Sequence, residues 1–375
     1  MSTGNLHNAM RSLTAATLIA LSAVSLSCTK TQIEPETPKG PAIEFSTKDP
    51  WTKATNGTDE VAKDAMRKSG FNVWGWFRGT TNGHVFDATE VYDATYNSET
   101  GSFSSTTPNW TYDPENPRYW MNGLYDFAAV YPFDTPNVTF NPQTDEEGNT
   151  LLDGKPVLII QDFDSSTQKD LLVALNSGPD GNGINGGEPQ GPVALNFKHV
   201  LTKVNVKIAQ NFEKDPNNDY YITKVTLSNV KTIGSYLAYS YNNSTEHEWI
   251  PNNSETGTFI KEFNAPYQSL EELGQLSVWG DVNVSNGKGG LLLIPQSIEK
   301  NSIRIRLDYR YLMDGSDLYK ELYAEVYIPI SEDLWKSNEI VTYNIVFAKQ
   351  TDIKFETPTI EPWDAPQTGG TIVIK

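Results

Sequence analysis

The chain has 375 residues, with 47 acidic against 29 basic side chains and a net charge of −18. An excess of that sign excludes docking on nucleic acid or on an anionic membrane through a basic patch. A single cysteine excludes an intramolecular disulfide, a CxxC redox pair and a thiolate zinc site, so the core has to come from packing.

The chain begins with the pattern of an export signal. Arg11 precedes the apolar run Leu13 to Leu26, which is too short to span a bilayer comfortably and sits where a signal peptide belongs. Met10 directly precedes Arg11, so translation starts at Met1 or at Met10. Two cleavage readings fit. Ala23-Val24-Ser25 is a small-x-small site for ordinary signal peptidase, and it leaves Cys28 as a free thiol. Leu26-Ser27-Cys28 resembles a bacterial lipobox, with Ser25 where a branched aliphatic residue is usual. In that reading residues 1–27 are removed and Cys28 carries lipid. An exposed free thiol is a liability, which favours Cys28 as an anchor. Residues 28–41 are polar and proline-rich and read as a flexible tether.

From residue 42 the sequence turns β-like. Expected strands are FNVWGWF, LYDFAAVYP, KPVLIIQDF, HVLTKVNVKIA, YITKVTLSNV, GGLLLIPQ, SIRIRLDYRY, LYAEVYIPI and IVTYNIVFA. In SIRIRLDYRY, Ile303, Ile305, Leu307, Tyr309 and Tyr311 alternate with Arg304, Arg306, Asp308 and Arg310. That period of two signals one buried and one solvated face, the habit of antiparallel sandwiches. Helical signals are few: YQSLEELG and SEDLWKSNE each suggest a short helix or turn. The glycine-rich stretch 177–191 is the best linker candidate. The expected organisation is all-β, with one sandwich over 42–190 and a second over 191–375. At the far end, Gly369 and Gly370 precede Thr371 to Lys375, where Ile372 and Ile374 share one face and Val373 takes the other. Such a strand, within 368–375, either completes its own sheet or is donated to a neighbour.

Catalytic patterns are lacking. His84, His199 and His247 are far apart in sequence, and there is no HExxH, Gly-x-Ser-x-Gly elbow, Walker loop or GxGxxG turn. The acidic loops at Asp145 to Asn149 and Gly178 to Glu188 lack the order of a calcium loop and read as solvated turns. No metal, cofactor or enzymatic activity is expected. Nine Trp, eighteen Tyr and fifteen Phe supply rings for two cores. An alternative use is glycan stacking, for which Trp74, Trp76 and Trp120 are the candidates.

The order and spacing of several stretches resemble the fimbrillin family of Bacteroidales, lipoprotein-derived pilus subunits. They are TKA (Thr52 to Ala54), FNVWGWF, PRYWMNGLYDFAAVYP, NFKHVLTKVNVKI, LLLIPQ, SNEIVTYNIVF and the tail IEPWDAPQTGGTIVIK. The resemblance implies two tandem transthyretin-like β-sandwiches and a structural role in adhesion, with an outer-membrane lipoprotein at the cell surface that enters a fimbrium. It also implies a surface trypsin-like protease that removes the lipidated segment with its first strand, and a strand from another subunit that fills the groove. AIEFSTK (Ala42 to Lys48) is then the strand removed, with Lys48 or Lys53 as the cut, since no arginine lies between Arg11 and Arg67. An uncut subunit would stay lipid-anchored at the pilus base. Partners are other fimbrial subunits, with Ile372, Val373 and Ile374 as the donor strand.

Overall fold

Where the sequence alternates, the backbone is extended. Ile303, Ile305, Leu307 and Tyr309 are buried, and the arginines between them lie on the other face. The computed structural model describes residues 40–47, 58–210, 220–241, 244–264, 278–279, 290–312, 319–328, 331–349, 352–355 and 358–363.

The largest sheet has seven strands. β13 (Lys198–His199), β10 (Leu172–Asn176), β7 (Leu124–Tyr131), β2 (Phe71–Arg78), β3 (Gly83–Asp93) and β6 (Trp110–Thr111) follow one another, and β11 (Ile184–Asn185) also pairs with β7. A second sheet runs β17 (Ser244–Pro251), β16 (Ile233–Tyr241), β9 (Pro156–Asp164), β8 (Val138–Pro142). A third runs β18 (Thr256–Glu262), β15 (Tyr220–Lys231), β21 (Arg304–Leu312), β22 (Tyr319–Tyr327). The fourth runs β19 (Leu291–Leu293), β14 (Thr202–Gln210), β24 (Glu339–Lys349), β25 (Asp352–Phe355), with β26 (Thr359–Pro362) also on β24. Three short pairs complete the described strands: β1 (Phe45–Thr47) with β12 (Val193–Leu195), β4 (Tyr96–Asn97) with β5 (Ser102–Phe103), and β20 (Gln296–Ile298) with β23 (Ser331–Trp335). Only β14–β24 and β1–β12 are parallel among the described pairs. The protein is all-β, as its alternation predicts.

Among the described residues, three large apolar cores and a small one around Leu152, Val157 and Tyr239 hold these layers. The third and fourth sheets enclose one, with Val204, Val206 and Ile208 against Val225, Leu227, Ile305 and Leu307. The seven-stranded sheet is buried on both faces. One face packs Phe71, Val73 and Phe127 against Ile43, Phe45, Val193 and Leu195. The other packs Trp74, Ala128 and Val130 against Leu158, Ile160, Tyr236 and Ala238. Burial on both faces explains why FNVWGWF and LYDFAAVY are nearly continuous apolar runs.

Strand pairing crosses the boundary expected near residue 190. Beyond it, β16 lies beside β9, with Tyr236 opposite Ile160 and Ala238 opposite Leu158. The chain leaves the third sheet at the end of β15 and enters the second at Thr232, whose carbonyl accepts from the backbone N–H and the hydroxyl of Ser165 at 2.8 and 2.9 Å. The glycine-rich segment 177–191 is packed: β11 adds to β7, and Lys155 and Arg78 donate to the carbonyls of Gly181 and Asn182.

Two local readings need correction. SEDLW forms β23 instead of a helix, because Trp335 is buried and its indole donates to the Tyr343 hydroxyl at 3.0 Å. The other helical candidate, YQSLEELG, lies outside the described residues. The α-helix found among the described residues, α1 (Thr58–Ser69), is not among the expected elements. Its signals are Asp59 and Glu60 in the first turn, Arg67 and Lys68 in the last, and Gly70 at φ +75°, whose N–H bonds the Met66 carbonyl at 2.8 Å.

Candidate assembly groove

Residues 42–47 thread along the core of the seven-stranded sheet. Ile43 and Phe45 are 1% and 5% exposed, while Glu44 between them faces solvent. Phe45 sits edge-on against Phe86, Tyr112 and Phe127 at centroid distances of 5.2, 5.9 and 5.9 Å. Backbone bonds hold the strand from both sides. Ile43 N–H donates to Arg118 O at 2.7 Å, Trp120 N–H to Pro41 O at 3.1 Å, and Val193 N–H to Glu44 O at 2.7 Å. The Tyr112 hydroxyl donates to Ile43 O at 2.9 Å, and burial pushes that phenol up, so it stays a neutral donor near pH 7. The Trp110 indole donates to the Thr47 hydroxyl at 2.9 Å.

The ladder itself is short. Only Phe45, Ser46 and Thr47 pair with β12, in parallel. Alongside β1 an open cleft of about 540 Å³ is walled by Pro108, Trp110, Tyr112, Pro114, Pro117 and Pro192. The slot therefore reads two things: a backbone that can complete these bonds, and apolar side chains two residues apart.

The residues expected to process, anchor or donate, namely Cys28, Lys48, Lys53, Ile372, Val373 and Ile374, lie outside the described residues, as do the signal segment 1–27, most of the tether and the tail 368–375. The first arginine after Arg11 is buried: Arg67 Nε lies 2.7 Å from Asp93 Oδ2, and its other nitrogens donate to Thr95, Ser105 and Thr106. A guanidinium so enclosed is closed to a protease. The last described residue, Trp363, stacks on His199 at 4.0 Å, with Lys203 over its ring at 4.7 Å. His199 pairs with Asp170 at 2.9 Å.

The tryptophans named as glycan contacts do not form a platform. Trp74 and Trp120 are 3% and 2% exposed, each inside a core, and half-buried Trp76 packs edge-on against His84 at 4.9 Å. Together with Trp110 they pack on the two buried faces of the seven-stranded sheet. Among the described residues no three His, Cys, Asp or Glu side chains are grouped to hold a metal, and no helix is long and apolar enough to cross a membrane. Asp145 accepts from the backbone N–H groups of Glu147 and Asn149, which makes that acidic loop a self-satisfied turn.

A family profile described as fimbrillin-like matches residues 52–363. No curated protein matches the sequence. Among solved structures, the chain is similar to a fimbrial protein from Bacteroides vulgatus ATCC 8482, at 14% identity and a TM-score of 0.53, covering 86% of this chain and 99% of that one. It is also similar to a protein named for cell adhesion from Bacteroides uniformis ATCC 8492, at 13% identity and a TM-score of 0.45, covering 87% and 100%.

Proposed function

The chain belongs to the fimbrillin-like family, and from that premise we propose that it is a non-catalytic structural subunit of a cell-surface fimbria, assembling by strand exchange. The observation that carries this reading is β1. With the residues just before it, it supplies two large side chains to a core, Ile43 and Phe45, yet the segment is tied to the sheets by a three-residue ladder and a few backbone bonds. A strand of that kind is a plug. Cleavage after Lys48 or Lys53 by a surface trypsin-like protease detaches it from the body and opens an apolar slot.

The same chain carries a matching insert. Ile372 and Ile374 are two residues apart, as Ile43 and Phe45 are, so a donated Thr371 to Lys375 presents the same alternate pair. Seating two such side chains is worth about 3–6 kcal/mol before ordering costs, while backbone bonds to the slot add affinity and register. Partners are further copies or related subunits, and an uncleaved chain remains tethered to the outer membrane through lipid on Cys28.

N-terminal sequencing of the protein from cell-surface material, with deletion of residues 368–375, tests this. A processed subunit begins just after Lys48 or Lys53, and a lipid-blocked Cys28 marks an anchor. The deletion variant should be a folded monomer that enters no high-mass ladder. If it unfolds as an isolated chain, the terminal strand completes its own sandwich and the donor assignment fails.

A further inference from the structure

Away from the groove, the outer face of the third sheet concentrates unusual chemistry. Three of the seven arginines in the chain, Arg304, Arg306 and Arg310, alternate along β21. Register sets Tyr327 opposite Arg304, Glu325 opposite Arg306, Tyr323 opposite Asp308 and Glu321 opposite Arg310. Tyr319, Tyr323 and Tyr327 are 52%, 62% and 47% exposed. The Arg306 guanidinium lies 4.3 Å from the centre of the Tyr323 ring, and that of Arg310 lies 4.2 Å from Tyr319. Arg306 is in turn held by Asp308 at 2.6 and 3.0 Å and by Glu325 at 3.4 Å. Tyr323 is therefore braced on one face and open to solvent on the other, so a ligand stacking there has little rotamer freedom to remove.

Beside Tyr323 lies a cleft of about 460 Å³, within the usual range for small-ligand sites, rimmed by Lys224, Glu262, Asn264, Arg306 and Glu321. Charge balances on this face. Lys224, Arg304, Arg306 and Arg310 stand against Asp308, Glu262, Glu321 and Glu325, in a chain whose net charge is −18. We propose that this cleft, with Tyr323 as its stacking platform, binds a neutral glycan. A pyranose offers an apolar C–H face to the ring and a rim of hydroxyls that both donate and accept, which is what a mixed set of ammonium, guanidinium, carboxylate and amide groups satisfies. An anionic ligand meets the field of a strongly acidic chain, and it finds Arg306 already paired with carboxylates. A protein partner needs a contiguous apolar centre to bury; on this face Ile260 is exposed, but it stands in a row with Thr226, Arg306 and Glu325 and two residues from Glu262, so polar and charged groups interrupt it. The site lies on a single subunit and does not depend on strand exchange.

The test is binding of the full chain to a panel of immobilised neutral hexose oligosaccharides, alongside uronic-acid and sulfated ones. Neutral members should be retained. Tyr323→Ala should weaken them about tenfold or more, the scale of a lost stacking contact. Tyr323→Phe, which keeps the ring, should stay within about twofold. Tyr92→Ala, at another exposed tyrosine on β3, should change nothing. Retention of the anionic members alone, indifference to Tyr323→Ala, or no retention of any neutral glycan overturns the proposal. Loss of self-association in Tyr323→Ala without glycan binding overturns it too, and assigns the face to a second copy of the chain.

Discussion

Replacing Phe45 with alanine separates a removable plug from an integral strand. Burial of Ile43 and Phe45 contributes about 3–6 kcal/mol. The bonds that Arg118, Trp120, Val193, Tyr112 and Trp110 make with residues 41–47 add about 0.5–1.5 kcal/mol each. Against this, fixing the backbone of residues 42–47 costs about 1–2 kcal/mol per residue. Gains and cost are of the same size, so β1 docks with a net free energy within a few kcal/mol of zero. A Phe→Ala change at an enclosed site costs about 3–5 kcal/mol, enough to exhaust that margin. Global stability can fall by no more than the docking free energy, because beyond that point the strand leaves and the remaining core stays folded. The expected result has two parts. Amide exchange over residues 42–47 and tryptic cleavage after Lys48 or Lys53 should accelerate strongly, while the denaturation midpoint shifts only slightly. A full loss of about 3–5 kcal/mol in global stability, with no faster local opening, would show that β1 unfolds with the whole sheet and would refute the plug argument.

Asp93→Asn leaves Arg67 buried and unpaired and should cost about 3–5 kcal/mol in urea unfolding at pH 7. Burial opposes ionisation of Asp93, but bonds from the backbone N–H groups of Asn109 and Thr95 and from Arg67 outweigh it and hold the carboxyl below its ordinary value. Its contribution is therefore complete above about pH 4 and lost as pH falls through the depressed value, so the gap between wild type and variant should close in acid; a constant gap would mean that the network is not ionic. Cys28→Ala should move the protein out of the membrane fraction and abolish fatty-acid labelling. Persistent labelling of that variant would hand the N-terminus to the Ala23-Val24-Ser25 cleavage reading.

The strands legible in the sequence were those with one wet face or an unbroken apolar run. SIRIRLDYRY and LYAEVY kept their alternation because arginine, glutamate and tyrosine could sit outside while Ile305 and Leu307 sat inside. IGSYLAYSY, which became β16, was invisible for the opposite reason. Residues 234–240 are buried on both faces, and small residues such as Gly234, Ser235 and Ala238 make room for neighbours, so nothing alternates. The edge strand β17 was missed because STEHEWIP is largely solvated and carries little apolar signal.

The same distinction governs the two candidate sites. The plug could be picked out because the family resemblance points to AIEFSTK and Ile43 and Phe45 alternate within it, although the partners that hold it, Arg118, Trp120 and Val193, are distant in sequence. The Arg–Tyr face could not be, since its pairs come from two strands and exist only once register is set. Composition pointed to tryptophan as the platform ring, but a count of rings says nothing about which of them a sheet will cover. The candidate tryptophans Trp74, Trp76 and Trp120, with the largest apolar surface available, went to the cores on the two faces of the seven-stranded sheet. Tyrosine, with a hydroxyl that tolerates water, was left on the face with one wet side. A search for stacking platforms in related sequences should therefore look for tyrosine alternating with acid on one strand and arginine alternating on the next, in preference to tryptophan clusters.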